Sequence, residues 1–148
     1  MVIKLETSPE QEVIEILIKA PEGNKDAEQI VSMLKSLEAK IEGFSGVIQK
    51  TIPISDIFFI ESLQNKTIIH CEKEEYQSKL RLYQLDEKLA DYGFTQISKY
   101  CILNVNKIEK VKTLFNSRME VILANGKRQI VTRKYLAAIK QIFLKDEQ

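Results

Sequence analysis

Asn125-Gly126 restricts this chain more than any other feature, because it stands between two apolar-alternating runs, residues 119–123 (MEVIL) and 129–131 (QIV). Both turn residues tolerate the positive φ of a type I′ turn, whose twist matches that of two antiparallel strands. The spacing therefore predicts a β-hairpin near the end of the chain, and the surrounding sequence agrees. Residues 95–97, 101–103 and 108–114 are short β-rich runs bounded by polar residues, the pattern of strands separated by turns. The same texture begins at Val47, where residues 54–60 (ISDIFFI), 67–71 (TIIHC) and 76–80 (YQSKL) read as strands. Leu63-Gln64-Asn65-Lys66 and the acidic run 72–75 join them.

Helical spacing occurs in three places. Leu82, Leu85 and Leu89 mark one face of a short helix that Gly93 can end by accepting the left-handed conformation. Thr132 is a candidate cap for a final helix with Tyr135, Leu136, Ile139 and Phe143 on its apolar face. From Asp26 the apolar residues Ala27, Ile30, Val31, Leu34, Leu37 and Ile41 recur at three- and four-residue steps, with Gly43 as the stop. Ahead of this helix, residues 2–5 and 12–20 (EVIEILIKA) read as two strands around a turn near Ser8-Pro9. The expected architecture is mainly β with α, an α+β chain. A strand-strand-helix region at 1–45 precedes a β-rich domain at 46–148 with two short helices.

A chain of 148 residues, 44% hydrophobic and 29% charged, is large enough for one good core. No apolar run approaches the ~20 residues of a membrane helix, and the first residues lack the long apolar stretch of a signal peptide. A cytoplasmic protein is the expectation. Cys71 and Cys101 are too few for a disulfide scaffold and lack metal-ligand spacing, and one histidine cannot complete a zinc site. Neither a metal nor another cofactor is expected, and no oxyanion loop or third triad member accompanies His70 and the cysteines, so an enzyme is the least favoured reading. The formal net charge of +1 hides an uneven distribution: residues 1–45 carry −4, residues 46–92 carry −2 and residues 93–148 carry +7. A cationic end of this kind suits a phosphate-rich partner.

Three stretches, in this order and spacing, resemble the LytTR family of bacterial DNA-binding domains. The first runs from Ile57-Phe58-Phe59-Ile60-Glu61-Ser62 through the Asn65-Lys66 turn to His70; the second is Gly93-Phe94 through Lys99 to Asn104; the third is Leu123-Ala124-Asn125-Gly126 followed by Ile130-Val131-Thr132-Arg133-Lys134-Tyr135. Where the family favours His-Arg-Ser, this chain has Ser98-Lys99-Tyr100, which keeps the charge at Lys99. The resemblance covers roughly the last two thirds of the chain and implies an elongated β sandwich whose loops enter successive major grooves of duplex promoter DNA. Carried over by position, the DNA contacts are Asn65, Lys66, Lys99, Arg133 and Lys134. Arg133 is the base reader, since a guanidinium donates two parallel hydrogen bonds to guanine. Lys66, Lys99 and Lys134 hold phosphates. Asn104 is expected to tie down a turn rather than touch DNA.

The resemblance makes the chain a transcriptional regulator. The 45 residues before its LytTR-like part are too few for a phosphorylation receiver domain, and by family analogy a regulatory membrane protein supplies the input. Residues 1–45 are expected to make a homodimer suited to tandem half-sites. The competing reading is a protein-interaction module whose sheet edges or first helix bind a partner, without nucleic acid.

Overall fold

The computed structural model describes residues 1–143, and of the side chain of Phe143, expected on the apolar face of the last helix, nothing is described. Ten strands and three helices follow in order. They are α1 (Lys25–Glu38), β1 (Lys40–Ser45), β2 (Ile48–Pro53), β3 (Ile57–Leu63), β4 (Lys66–Cys71), β5 (Glu75–Ser78) and α2 (Leu82–Leu89), then β6 (Phe94–Ser98), β7 (Cys101–Asn104), β8 (Ile108–Thr113), β9 (Met119–Leu123), β10 (Arg128–Val131) and α3 (Leu136–Phe143). The α+β class is as the sequence predicts. Seven strands form one antiparallel sheet in the order β2-β1-β5-β4-β3-β7-β6, and three form a second, β10-β9-β8. None of the helices is long and apolar enough to cross a membrane.

Alternation sorts the large sheet's side chains onto two cores. One face carries Ile41, Ile52, Ile57, Ile60, Ile69 and Ile102 against Leu85 and Leu89 of α2. The other carries Phe59, Cys101 and Leu103 against Met119, Val121, Leu123 and Val131 of the small sheet and Leu136 and Ile139 of α3. Two layers thus clamp the large sheet from opposite sides, and each hydrophobic face is covered. Phe58 joins Phe59 in the second core because the β3–β4 register slips between Ile57 and Phe59, a bulge that turns two neighbours inward.

Asn104 behaves as expected: almost fully buried, its Nδ2 donates to the Ile57 carbonyl (2.8 Å) and its Oδ1 accepts from the Asn106 N–H (3.1 Å). The Asn-Gly hairpin also forms, but not with a type I′ turn. Gly126 N–H donates to the Leu123 carbonyl (2.9 Å), and of the turn residues Gly126 alone has positive φ, 84°. That is a longer hairpin loop in which the glycine takes the left-handed position after the turn. The paired positive φ values of a type I′ turn occur instead at Gln64 (51°) and Asn65 (64°).

The region before the sheet departs from expectation. The strands predicted at 2–5 and 12–20 are not formed: residues 1–24 belong to no strand, and their backbone hydrogen bonds are local, Gln11 to Ser8 (3.2 Å) and Asn24 to Pro21 (3.2 Å), with the Asn24 carbonyl accepting from Glu28 (3.3 Å). An isolated two-stranded ribbon is marginal without a layer to pack on. α1 forms behind an Asn24 cap whose Oδ1 accepts from the Ala27 N–H (2.9 Å), but it stops at Glu38. Ile41 and Gly43 lie in β1, and Gly43 is there for space rather than as a helix stop. A Cβ at that position would sit 2.5 Å from Ile52 Cδ1 and 2.8 Å from Tyr76 Cβ. β1 pairs with β2 from Lys40↔Pro53 to Ser45↔Ile48, so this hairpin spans the division expected at 45/46.

α1 is also turned around. Its only buried residue is Ser36, and Gln29 bonds Asn106 (3.3 Å) while Ser32 lies close to Gly93. Ile30, Met33, Leu34 and Leu37, which share a stripe at helical spacing, remain exposed or half-buried.

Candidate nucleic-acid interface

Backbone hydrogen bonds gather the sequence-predicted site residues at one end of the large sheet. Leu63 and Lys66 face each other in register, leaving Gln64-Asn65 as a two-residue turn with Asn65 and Lys66 exposed. Asparagine tolerates the left-handed conformation that this turn demands. In the neighbouring β6–β7 turn, Ser98 pairs with Cys101 and Ser98 Oγ accepts from the Tyr100 N–H (3.2 Å). The Tyr100 carbonyl in turn accepts from the Ser62 N–H (2.8 Å), which fixes this turn beside the end of β3. Lys99 stands exposed on it, with Nζ 5.6 Å from the Tyr100 ring centre.

The third segment arrives from the small sheet. Thr132 was expected to cap the last helix; instead its N–H (2.9 Å) and Oγ1 (3.4 Å) both donate to the Ile97 carbonyl, and it makes no capping bond. The backbone bond, the shorter of the two, anchors β10 to β6. A single 3-10 turn, Arg133–Tyr135, follows, leading directly into α3. Arg133 and Lys134 are exposed on it, with Lys134 Nζ 5.5 Å from the Tyr135 ring centre. Thus Asn65, Lys66, Lys99, Arg133 and Lys134, far apart in sequence, all belong to turns at or next to one sheet end.

Among the described residues, none of Lys66, Lys99, Arg133 and Lys134 is in an ion pair; the pairs present are Lys25–Glu28, Lys50–Glu74, Arg128–Glu120 and two that His70 makes. Asp56, Glu72, Glu74 and Glu75 lie at the opposite end, around the start of β3 and the β4–β5 connection. There the Tyr76 hydroxyl, followed by Lys50, holds the Glu74 carboxyl below its usual range. The Asn-Gly hairpin belongs to that end too, since Asn125 Nδ2 donates to the Glu72 carbonyl (3.2 Å).

Two cations were missed by the sequence reading. Arg81 precedes α2 and shares a groove with Ser62, Tyr83, Asp86, Lys99 and Tyr100. Arg118 precedes Met119, which faces Val131 in register, so it stands at the same end as Arg133. The available signal was an arginine where a helix-capping Ser, Thr, Asp or Asn is usual; Gln84 compensates by accepting from the Arg81 N–H (2.8 Å). Burial alone raises the Asp86 carboxyl above its ordinary value.

The remaining reactive side chains are structural. His70 is buried, stacked on Phe59 at 4.1 Å, with Nε2 2.9 Å from Glu61 Oε1. Burial pushes the Cys71 thiol up to about 11 and that of Cys101 up to about 12, so both are protonated and poorly nucleophilic at neutral pH.

Comparison with known proteins agrees with this fold. Residues 49–144 match the family model of the LytTr DNA-binding domain. The chain is similar to an uncharacterised HTH-type transcriptional regulator of Staphylococcus aureus, 29% identical over 127 residues, 84% of this chain and 85% of that one. It is also similar to the sensory transduction protein LytT of Bacillus cereus, 26% identical over 91 residues, 62% of this chain and 37% of LytT. A solved LytTr DNA-binding domain, from a Bacillus cereus protein described as a methyl-accepting/DNA response regulator, shares the fold. Its TM-score is 0.67 at 20% identity, covering 71% of this chain and 96% of that one. With the family model spanning most of the chain and its two-sheet fold recovered, the chain belongs to the LytTR family of DNA-binding domains.

Proposed function

We propose that the chain is a sequence-specific transcriptional regulator that grips duplex promoter DNA through Asn65, Lys66, Lys99, Arg133 and Lys134. The observation that carries this reading is the gathering of the 64–66, 98–100 and 132–134 segments at one sheet end by the Ser62–Tyr100 and Thr132–Ile97 bonds. In it, the turns enter successive major grooves. Arg133 reads a base edge, because its planar fork can span guanine O6 and N7, and the lysines neutralise phosphates. Arg81 and Arg118 extend the cationic surface to both sides of the sheet.

The regulator acts in the cytoplasm as a homodimer on two half-sites, with residues 1–45 as the dimerising element. By analogy within the family, a membrane protein restrains it. The decisive experiment is a gel shift of the full chain against its own upstream region at several salt concentrations. Retardation that resists nonspecific competitor and weakens steeply with salt supports the reading, since each neutralised phosphate releases counterions. A shift displaced by equimolar nonspecific competitor removes sequence specificity, and no shift at any salt concentration favours the protein-interaction module instead.

A further inference from the structure

Residues 1–20 carry the largest unpartnered apolar surface of the described chain. Met1, Val2, Ile3, Leu5, Val13, Ile14, Ile16 and Leu17 are each between 60% and 95% exposed. The backbone of this arm makes only local bonds: the Gln11 N–H donates to the Ser8 carbonyl (3.2 Å), the Glu10 N–H to Ser8 Oγ (3.3 Å) and Gln11 Nε2 to the Val13 carbonyl (2.9 Å), so from Ile14 to Ala20 the backbone has no partner among the described residues. Free N–H and C=O groups along an extended apolar run are a template for another strand. Beside the arm, α1 faces the body with Gln29, Ser32 and Ser36 and leaves Met33 and Leu37 exposed, with Ile30 and Leu34 half-buried beside them. Strand and helix surfaces of this kind, adjacent in sequence and incompletely covered, suit one common occupant.

We infer that the occupant is a second copy of this chain, and that residues 13–21 of the two copies pair as antiparallel strands about a two-fold axis at Leu17. The sequence is self-complementary in this register. Glu15 lies opposite the partner's Lys19 and Lys19 opposite the partner's Glu15, two symmetric opposite-charge pairs of the kind that stabilise cross-strand neighbours. Leu17 meets the partner's Leu17 between them. Ile16 and Ile18 oppose the partner's Ile18 and Ile16, so one face of the ribbon is wholly aliphatic. A bare ribbon is marginal, and the outward stripes of the two α1 helices supply the layer that this face covers. The area is that of a small stable interface: Val13, Ile14, Ile16 and Leu17 of the ribbon with Met33 and Leu37 of α1, at roughly 100 Å² each, supply about 600 Å² per partner, the lower end of the standard range.

This inference rests on the homodimer reading above and gives it a register. Sedimentation equilibrium of the full chain at 5–50 µM (about the range in which a micromolar dimer dissociates) tests both. The expected result is a dimer for the native sequence and a monomer for Leu17→Asp that still unfolds cooperatively, because Leu17 lies outside both cores. Glu15→Lys and Lys19→Glu should each weaken the dimer about five- to tenfold, and the double variant should restore it. A native chain that is monomeric at 50 µM overturns the dimer reading and this inference together. A dimer that survives Leu17→Asp overturns the inference and leaves the dimer reading standing. Single charge reversals without effect, or a double variant that fails to recover, overturn the register.

Discussion

At one end of the seven-stranded sheet, the 64–65 and 98–100 turns carry Lys66 and Lys99 outside any ion pair among the described residues. At the other, Asp56, Glu72, Glu74 and Glu75 surround the ends of β3, β4 and β5. The two ends are held differently. At the acidic end side chains add to the backbone ties: Asn104 bonds the Ile57 carbonyl, Asn125 bonds the Glu72 carbonyl and Lys50 pairs with Glu74, beside the bond from the Cys71 N–H to the Glu74 carbonyl (2.9 Å). At the cationic end the ties are mainly backbone, Ser62 to Tyr100 and Thr132 to Ile97. Turns fixed by their backbone keep their side chains free for a partner, whereas Asn104 and Asn125 are committed to the fold. Fold stability and DNA affinity should therefore separate along the sheet.

The largest effect is expected where a side chain holds the fold. Asn104→Ala leaves the Ile57 carbonyl buried and unbonded, which costs about 1–3 kcal/mol in addition to the lost bond. Urea denaturation should show this loss, while DNA affinity per folded molecule stays unchanged. An equal loss of affinity would erase the distinction between the ends. The converse change is Arg133→Ala, which should lower DNA affinity by roughly 1–3 kcal/mol and flatten sequence preference. Its melting temperature should move little, since the side chain is exposed. Unaltered preference in a binding-site selection would remove Arg133 as the base reader.

Smaller effects come from single lysines. Lys66→Ala and Lys99→Ala should weaken all sequences alike, each reducing the slope of log K against log salt by about 0.9. Glu75→Lys changes charge by more than either, but at the acidic end. A seven-residue strand spans about 23 Å, well beyond the ~8 Å screening length at physiological ionic strength. DNA affinity should move less than about twofold, and a larger change would mean that net charge rather than its placement governs binding.

Much of this comparison was legible in the sequence, and the failures are local in cause. Short β-rich runs between polar turns located β3 to β10, because alternation and turn residues are written within a few positions of each other. The cationic end was legible through the resemblance, as Lys66, Lys99 and Arg133; the excess of charge over residues 93–148 did not locate it, because Lys107 and Lys127 lie at the other end beside the Asn125 turn. What could not be read were contacts between distant segments. Gly43 has a helix-stop identity but serves the approach of Ile52 and Tyr76. Thr132 has a capping identity but bonds Ile97. The arm at 12–20 has strand composition with no strand beside it in its own chain. Arg81 escaped notice because only the fold brings it beside Lys99.

The groove of Arg81 and Lys99 is lined by one acid, Asp86, and with it comes the smallest and most discriminating effect. Burial raises the Asp86 carboxyl in the fold, so the folded state favours its protonated form. The sign follows. The contribution to stability is fully present below the unfolded-state value near 3.8 and is lost as pH rises through the raised folded value. At neutral pH the ionised carboxylate is thus a mild burden on the fold, and it also repels phosphate approaching Lys99. Asp86→Asn should stabilise the chain by less than about 0.5 kcal/mol at pH 7 and tighten DNA binding by about twofold, a surface-charge effect that salt screens. As the pH falls through the raised folded value, the stability gap between the native chain and the variant should close, because protonation performs the same neutralisation. If the variant binds DNA more weakly at pH 7, the carboxylate is orienting Arg81 or Lys99 rather than opposing the partner, and the cationic end would be a tuned polar site instead of a simple excess of positive charge.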